Sequence, residues 1–107
     1  MDRTDAFALV EKHLKNRNLV KHSLAVEACM RALAPRFGGD PDLWGLAGLL
    51  HDLDYEETKD DFPRHGLRAA EILGEAVPAE IRNAVASHAG HTPRETALEK
   101  AIYAVDP

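Results

Sequence analysis

The spacing of apolar residues is the feature of this sequence that most limits its fold. Apolar side chains recur at steps of three and four residues along most of the chain, as in Phe7, Val10 and Leu14. This is the period of one face of an α-helix, and alternating apolar and polar runs that would predict strands are not found. A chain of 107 residues is long enough for one core. The sequence therefore predicts a single domain over residues 1–107, an all-α bundle of about five to six helices.

Capping residues and helix breakers divide the chain into six predicted helices. Asp40-Pro41 is an N-cap followed by proline, and Thr92-Pro93-Arg94-Glu95 fits a capping box, so each is predicted to begin a helix. Thr4 and Asn18 are predicted to cap the first two helices. By residue number, the predicted helices run over about 5–15, 19–36, 41–53, 63–75, 78–90 and 93–106.

The last predicted helix reaches Asp106, and only Pro107 follows it. The outer face of this helix therefore has no later segment to cover it. Two explanations stay open: the chain is a C-terminally truncated piece of a longer domain, or self-association into a homo-oligomer covers the face.

Composition and charge exclude several classes of protein. The chain has 13 Lys and Arg against 18 Asp and Glu, a net charge of -5, which argues against non-specific nucleic-acid binding. Apolar runs of the roughly 18 residues needed to span a membrane are absent from the sequence. Cys29 is the only cysteine, which excludes a disulfide framework, and we expect it in the core. The N-terminus does not resemble a signal peptide. The sequence predicts a cytoplasmic protein without nucleic-acid or membrane partners.

Histidine is unusually frequent, with six in this small acidic chain. One histidine on an apolar helix face is more often a hydrogen-bonded core residue than a metal ligand. Here four histidines and two aspartates are predicted to face the core together, and burying them around nothing would leave several polar groups unsatisfied. A divalent cation would satisfy all of them. The predicted metal ligands are His22, His51, Asp52, His65, His88 and Asp106, whereas His13 and His91 are expected outside the site.

Three blocks of this set resemble a known family. They are "LVKHSLAVEA" with His22, "LAGLLHDLDYE" with His51 and Asp52, and "EKAIYAVDP" with Asp106. Their order and separation resemble the HD-domain metal-dependent phosphohydrolases, and "GLLHD" is the specific part. The resemblance implies a compact HD-domain helical bundle in which these four residues bind one divalent metal. Family members usually continue with more helices beyond the final aspartate.

The resemblance extends to a second metal position. His65 in "PRHGLRAAEIL" and His88 in "AVASHAG" match the two extra histidines of dinuclear members, which include dinucleoside polyphosphate hydrolases. Asp52 would then bridge two ions, and Asp52 and His51 are the residues that the resemblance implies to be catalytic. The donor types suit one or two ions of Mn, Fe, Co, Ni or Zn.

The implied reaction is hydrolysis of a small phosphate-containing substrate, a nucleotide or related phosphate ester, by metal-activated water. Arg64 and Lys21 directly precede metal-site histidines, and we assign them to substrate binding at the rim. Residues 54–61 hold five acids opposed by Lys59 alone, which predicts a solvated connector. The alternative is that Asp54 or Glu56 orients a ligand or acts as a general acid.

Three other functions stay open from the sequence. A non-catalytic HD regulatory module would bind metal or nucleotide without turnover. An HD-type diiron oxygenase would need iron and oxygen. A structural helical protein with coincidental histidines would bind no metal and tolerate His51→Ala.

Overall fold

A computed structural model describes residues 1–106 and confirms the all-α prediction, with no strand in that range. The helices are α1 (Arg3–His13), α2 (Arg17–Leu33), α3 (Pro41–Leu50), α4 (Tyr55–Thr58), α5 (Leu67–Leu73), α6 (Ala79–Ser87) and α7 (Ala97–Val105). Single 3-10 turns lie at Ala34–Phe37, Phe62–Arg64 and Gly74–Ala76. The six predicted helices correspond to all of these α-helices except α4, which lies in the predicted connector.

The first two predicted caps are displaced by two residues. Asp2, not Thr4, caps α1, because its carboxylate accepts a hydrogen bond from the Asp5 amide at 2.8 Å. Asn16, not Asn18, caps α2 by accepting from the amide of Asn18. In each case a capping side chain earlier in the chain begins the helix sooner. The prediction for α3 is confirmed, with Asp40 as the N-cap and Pro41 as the first helical residue.

The predicted capping box at Thr92 is wrong. The box forms instead at Thr96, whose hydroxyl accepts from the Glu99 amide at 3.1 Å while the Glu99 carboxylate accepts from the Thr96 amide. The sequence holds two Thr-x-x-Glu patterns four residues apart. The second pattern forms the cap because a helix that begins at residue 97 buries both Leu98 and Ile102.

Helices α2 and α3 cross closely at Gly48. A Cβ atom on Gly48 would lie 2.9 Å from the Val26 carbonyl oxygen and 3.0 Å from the Met30 side chain, so only glycine permits this approach. Ala47 and Leu50 of α3 are fully buried at the same crossing. The crossing holds the middle of α2 against the C-terminal end of α3, where the dipeptide His51-Asp52 follows.

The remaining helices complete one core. Leu73, Ile81, Val85 and Ile102 bring α5, α6 and α7 into the apolar cluster that α2 and α3 begin. Cys29 is exposed, which makes its predicted place in the core wrong; Val26 and Met30 of the same helix point inward instead. Within residues 1–106, each helix is too short or too polar to cross a bilayer.

Candidate metal centre

Helix ends bring the predicted ligands together. His51, His88 and Asp106 each directly follow a helix, α3, α6 and α7 respectively, and Asp52 lies in the turn after His51. His22 reaches the same place from within α2. Helix C-terminal ends carry partial negative charge, which favours a cation between them.

The first group of ligand atoms comprises His22, His51, Asp52 and Asp106, all within 4.8 Å of one another. The Nε2 atom of His22 lies 2.9 Å from Oδ1 of Asp106 and 3.4 Å from Oδ2 of Asp52. The Nε2 atom of His51 lies 3.4 Å from Asp52 Oδ2 and 3.5 Å from Asp106 Oδ1. Two nitrogens and two oxygens therefore face one point.

A second group shares Asp52 with the first. The other carboxylate oxygen of Asp52, Oδ1, lies 3.1 Å from Nε2 of His65 and 3.3 Å from Nε2 of His88. These two histidine nitrogens are themselves 3.1 Å apart. Asp52 thus presents one oxygen to each group.

The other ring nitrogens determine which atoms are free to bind. Nδ1 of His51 donates to the Gly48 carbonyl at 2.7 Å, and Nδ1 of His88 donates to the Val85 carbonyl at 2.6 Å. Because a carbonyl oxygen only accepts, each Nδ1 must carry the hydrogen, and in the neutral rings Nε2 has the lone pair. Histidine ligands of metals show this same pattern of an N–H donated to a carbonyl or carboxylate behind the ring.

Without a cation, the lone pairs of the histidine nitrogens would face the negatively charged carboxylate oxygens. The histidine rings therefore bind protons, which offset this charge. Burial by itself would lower the pKa of His51, but hydrogen bonds to Asp106 and Asp52 outweigh it and raise the pKa to about 10. The same opposition raises the pKa of His65 to about 9, with Asp52 and Asp54 as its partners. Burial would raise the pKa of Asp52, yet its histidine partners hold it far below the ordinary value. The cluster attracts positive charge.

The residues fit a divalent transition metal. Metal bonds of about 2.0–2.2 Å at octahedral to tetrahedral angles place neighbouring ligand atoms about 2.8–3.6 Å apart. The separations of 2.9 to 3.5 Å between nitrogens and oxygens of the first group lie in this range. The donors are imidazole and carboxylate without thiolate, which suits Mn, Fe, Co, Ni or Zn. The identity of the metal stays a prediction.

His65 lies outside the helix in which it was predicted. It occupies the turn between the 3-10 turn at Phe62–Arg64 and the start of α5. Gly66 follows with a φ of +85°, and a Cβ there would lie 2.9 Å from the Val85 carbonyl oxygen. This glycine turns the chain and lets it approach α6, so helix geometry cannot begin until residue 67.

Asp54 holds this turn in place. Its carboxylate is fully buried and accepts from the amides of Gly66 and Ala69 at 2.8 and 2.9 Å. The other oxygen lies 2.9 Å from Nδ1 of His65. Thr58 also approaches that nitrogen, at 3.3 Å. Asp54 therefore orients His65 with its Nε2 toward Asp52. Orientation of a ligand was the alternative interpretation of Asp54 from the sequence.

The solvated connector predicted for residues 54–61 is wrong, because this stretch folds onto the domain. Glu56 accepts from the amides of Lys15 and Asn16 at the start of α2, at 2.7 and 2.9 Å. Glu57 pairs with Arg68 at 2.9 Å. Three of the five acids in this segment, Asp54, Glu56 and Glu57, thus have hydrogen-bond partners within the domain.

A cleft of about 820 Å³ opens over the cluster. It is lined by ligands from both groups and by a set of aromatic, apolar and basic side chains: Leu19, His22, Asp52, Tyr55, Thr58, Lys59, Phe62, His65, His88, Ala89, Tyr103, Ala104 and Asp106. Lys21 and Arg64 are exposed and are not among them; Arg64 lies 3.7 Å from Asp61. The assignment of Lys21 and Arg64 to substrate binding stays a prediction.

Among the cleft-wall residues that sequence reasoning missed, three have aromatic or basic side chains. Lys59, Phe62 and Tyr103 carried no motif, and only their nearness in sequence to His65 and Asp106 could have marked them. His13 and His91 lie outside both ligand groups, as expected. His91 contacts the Phe62 carbonyl oxygen through Nε2 at 2.8 Å.

Comparison with known proteins agrees with the sequence blocks around His22, His51 and Asp106 and with the geometry of the ligand groups. A family model described as "HD domain" matches residues 19–106. Ribonuclease Y of Chlorobium luteolum is 33% identical over 91 residues, covering 84% of this chain and 17% of the relative. Ribonuclease Y of a Sulfurovum species is 34% identical over 92 residues, covering 84% of this chain and 18% of the relative. The chain thus spans less than a fifth of the length of these curated relatives, and no solved structure matches it significantly. The chain belongs to the HD domain family.

Proposed function

We propose that the protein is a metal-dependent phosphohydrolase that holds two divalent transition-metal ions and cleaves a phosphate ester, with nucleotides as the substrate class. The observation that carries this proposal is the position of Asp52. Its two oxygens lie between two groups of donors, 3.4 Å from His51 on one side and 3.1 Å from His65 on the other. Two-metal sites are a recurring solution for displacement at phosphorus.

When bound, such ions supply Lewis acidity that lowers the pKa of water and offsets charge on the phosphoryl oxygens. His22, His51, Asp52 and Asp106 would hold the first ion, and Asp52, His65 and His88 the second. The Gly48 and Val85 carbonyls fix the rings of His51 and His88, so these ligands need no reorganisation when metal binds.

The burial of the ligands sets the direction from which substrate approaches. The side chain of His51 is fully buried, whereas those of His22 and Asp106 are 26% and 20% exposed. Water and substrate therefore reach the cluster from the His22 and Asp106 side, through the cleft. Lys59 at the cleft wall is placed to offset the charge of a phosphate.

The curated relatives widen the range of substrates to be tested. Both are named ribonuclease Y, which denotes action on RNA, and RNA and nucleotides share the phosphate-ester bond. A screen should therefore include short single-stranded RNA beside mononucleotides and dinucleotides.

The test combines metal content with turnover. We would purify the chain without chelator, count metals by elemental analysis, and assay phosphate-ester hydrolysis with added Mn, Co or Fe. We expect about two ions per chain, metal-dependent hydrolysis, and loss of one ion in His65→Ala. His13→Ala is the matched control, because that histidine lies outside both ligand groups.

Two results would contradict the proposal. Bound metal without hydrolysis of any phosphate ester would indicate a binding module instead. Turnover that needs iron and consumes oxygen would indicate an oxygenase.

A further inference from the structure

We propose that the mouth of the cleft is a nucleobase site, in which Tyr55, Phe62 and Tyr103 stack on the base of a nucleoside phosphate and Lys59 binds its phosphate. The metal cluster would recognise only the phosphate. The aromatic side chains would therefore decide which phosphate esters are retained. This inference rests on the proposed function for the position of the phosphate, but base binding is measured separately.

The first observation is the distribution of exposed apolar side chains. Five large ones are exposed in residues 1–106, and three of these five line the cleft: Tyr55, Phe62 and Tyr103. Phe62 is 60% exposed and Tyr103 is 52% exposed. Large aromatic side chains exposed together beside a concave polar site are typical of a binding surface.

The second observation is that the Phe62 and Tyr103 rings are held in place by their neighbours. The Phe62 ring lies nearly parallel to that of His65, with centroids 6.2 Å apart, and meets the edge of His91 at 4.9 Å. The Arg94 guanidinium covers the Tyr103 ring at 3.7 Å. Because the rings are already fixed, little side-chain entropy is lost when a base stacks on their exposed parts.

The third observation is the charge at the mouth. Lys59 lines the cleft, and none of the carboxylates in residues 1–106 forms an ion pair with it. Glu56 and Glu57, three and two residues before it, are occupied by the backbone amides of Lys15 and Asn16 and by Arg68. An ammonium group and exposed rings together match an anion joined to a flat aromatic group, which is the chemistry of a nucleotide.

The occupant is thus a nucleoside phosphate with an unstacked base, either free or at an end of single-stranded RNA. Both sources present the same base and phosphate. Double-stranded nucleic acid does not fit, because its bases are already stacked on one another.

The experiment compares two probes that differ only in the base, adenosine monophosphate and ribose phosphate, by calorimetric titration of the purified chain. We expect adenosine monophosphate to bind at least about 10-fold more tightly. Phe62→Leu should remove most of this preference and leave the affinity for ribose phosphate unchanged. Phe37→Leu is the matched control, since Phe37 is equally exposed at 59% but lies outside the cleft.

The source is identified by adding a single-stranded RNA trinucleotide. Tighter binding of the trinucleotide than of the monophosphate assigns the site to an RNA end, and equal binding assigns it to free nucleotide. Equal affinity for adenosine monophosphate and ribose phosphate would overturn the proposal. So would a Phe62→Leu variant that loses a dimer in sedimentation but keeps its affinity for the nucleotide, because the rings would then contact a second copy.

Failure of the base site and failure of the proposed function are separable. A preference for the base without hydrolysis of any phosphate ester would support the base site and contradict the proposed hydrolase. Equal hydrolysis of esters with and without a base would support the hydrolase and contradict the base site.

Discussion

His51 and Asp106 reach the cluster from the ends of packed helices, whereas His65 reaches it from a turn whose backbone amides donate hydrogen bonds to Asp54. The first group therefore depends on how α2 and α3 pack at Gly48. In the second group, His65 depends on one buried carboxylate and one glycine with positive φ, whereas His88 directly follows α6. Substitutions in these supporting residues should therefore weaken metal binding by each group separately, although the groups share Asp52.

Substitution of the shared residue should have the largest effect. Asp52→Asn removes the negative charge and one of two metal-facing oxygens, so both groups should lose metal affinity by more than about 100-fold. Metal titration of the purified variant measures this. Asp42→Asn is the control, because that aspartate is exposed and pairs with Arg31. Loss of only one ion would show that Asp52 does not join the groups.

Asp54→Asn should weaken the second group alone. The amide would place an N–H donor or a weaker acceptor beside Nδ1 of His65, so affinity for the second ion should fall about 10- to 100-fold while the first is retained. Glu57→Gln, which alters a surface pair with Arg68, should change neither. Equal weakening of both ions in a folded variant would contradict the separate support of His65.

Gly48→Ala should act on the first group through packing. The added methyl would meet the Val26 carbonyl, which is backbone and cannot move aside, so we expect a loss of about 2 kcal/mol in unfolding free energy. Displacement of His22 relative to His51 should also weaken the first ion. Gly45→Ala is the control, since the three atoms nearest to its methyl all belong to the flexible Arg31 side chain. Chemical denaturation and metal titration together decide this, and equal stability of both variants would refute it.

The pH dependence of metal binding is common to both groups. Despite burial, carboxylate partners raise the pKa of His51 to about 10 and that of His65 to about 9. Both rings are therefore protonated at neutral pH without metal, and an ion must displace those protons. Affinity should rise by up to about 10-fold per pH unit for each proton released. Calorimetry in buffers of different ionisation enthalpy counts the protons, and an affinity that is independent of pH would exclude displacement.

Much of the fold could be predicted from local signals. Apolar periodicity located six helices, and Asp40-Pro41 gave the start of α3 correctly. The errors arose where two similar signals compete, as with Thr92 and Thr96, because burial of Leu98 and Ile102 decides between them. Burial is a property of the assembled core, and a local pattern cannot supply it.

The candidate site divides in the same way. All six predicted ligands lie in the two ligand groups, since histidine and aspartate on core faces carry a strong signal. Asp54 was less evident, because a carboxylate in an acidic stretch resembles a solvated one until Gly66 brings two amides to it. Phe62 and Tyr103 come to the same cleft only through the tertiary fold, so the sequence offered no sign of this beyond their nearness to His65 and Asp106.

The central claim, that Asp52 joins two metal positions, is tested most directly by anomalous X-ray scattering from crystals of the protein loaded with Mn²⁺. The account predicts two anomalous peaks, one beside each oxygen of Asp52, with the first near His22, His51 and Asp106 and the second near His65 and His88. A single peak at full metal loading, or peaks away from Asp52, would contradict it.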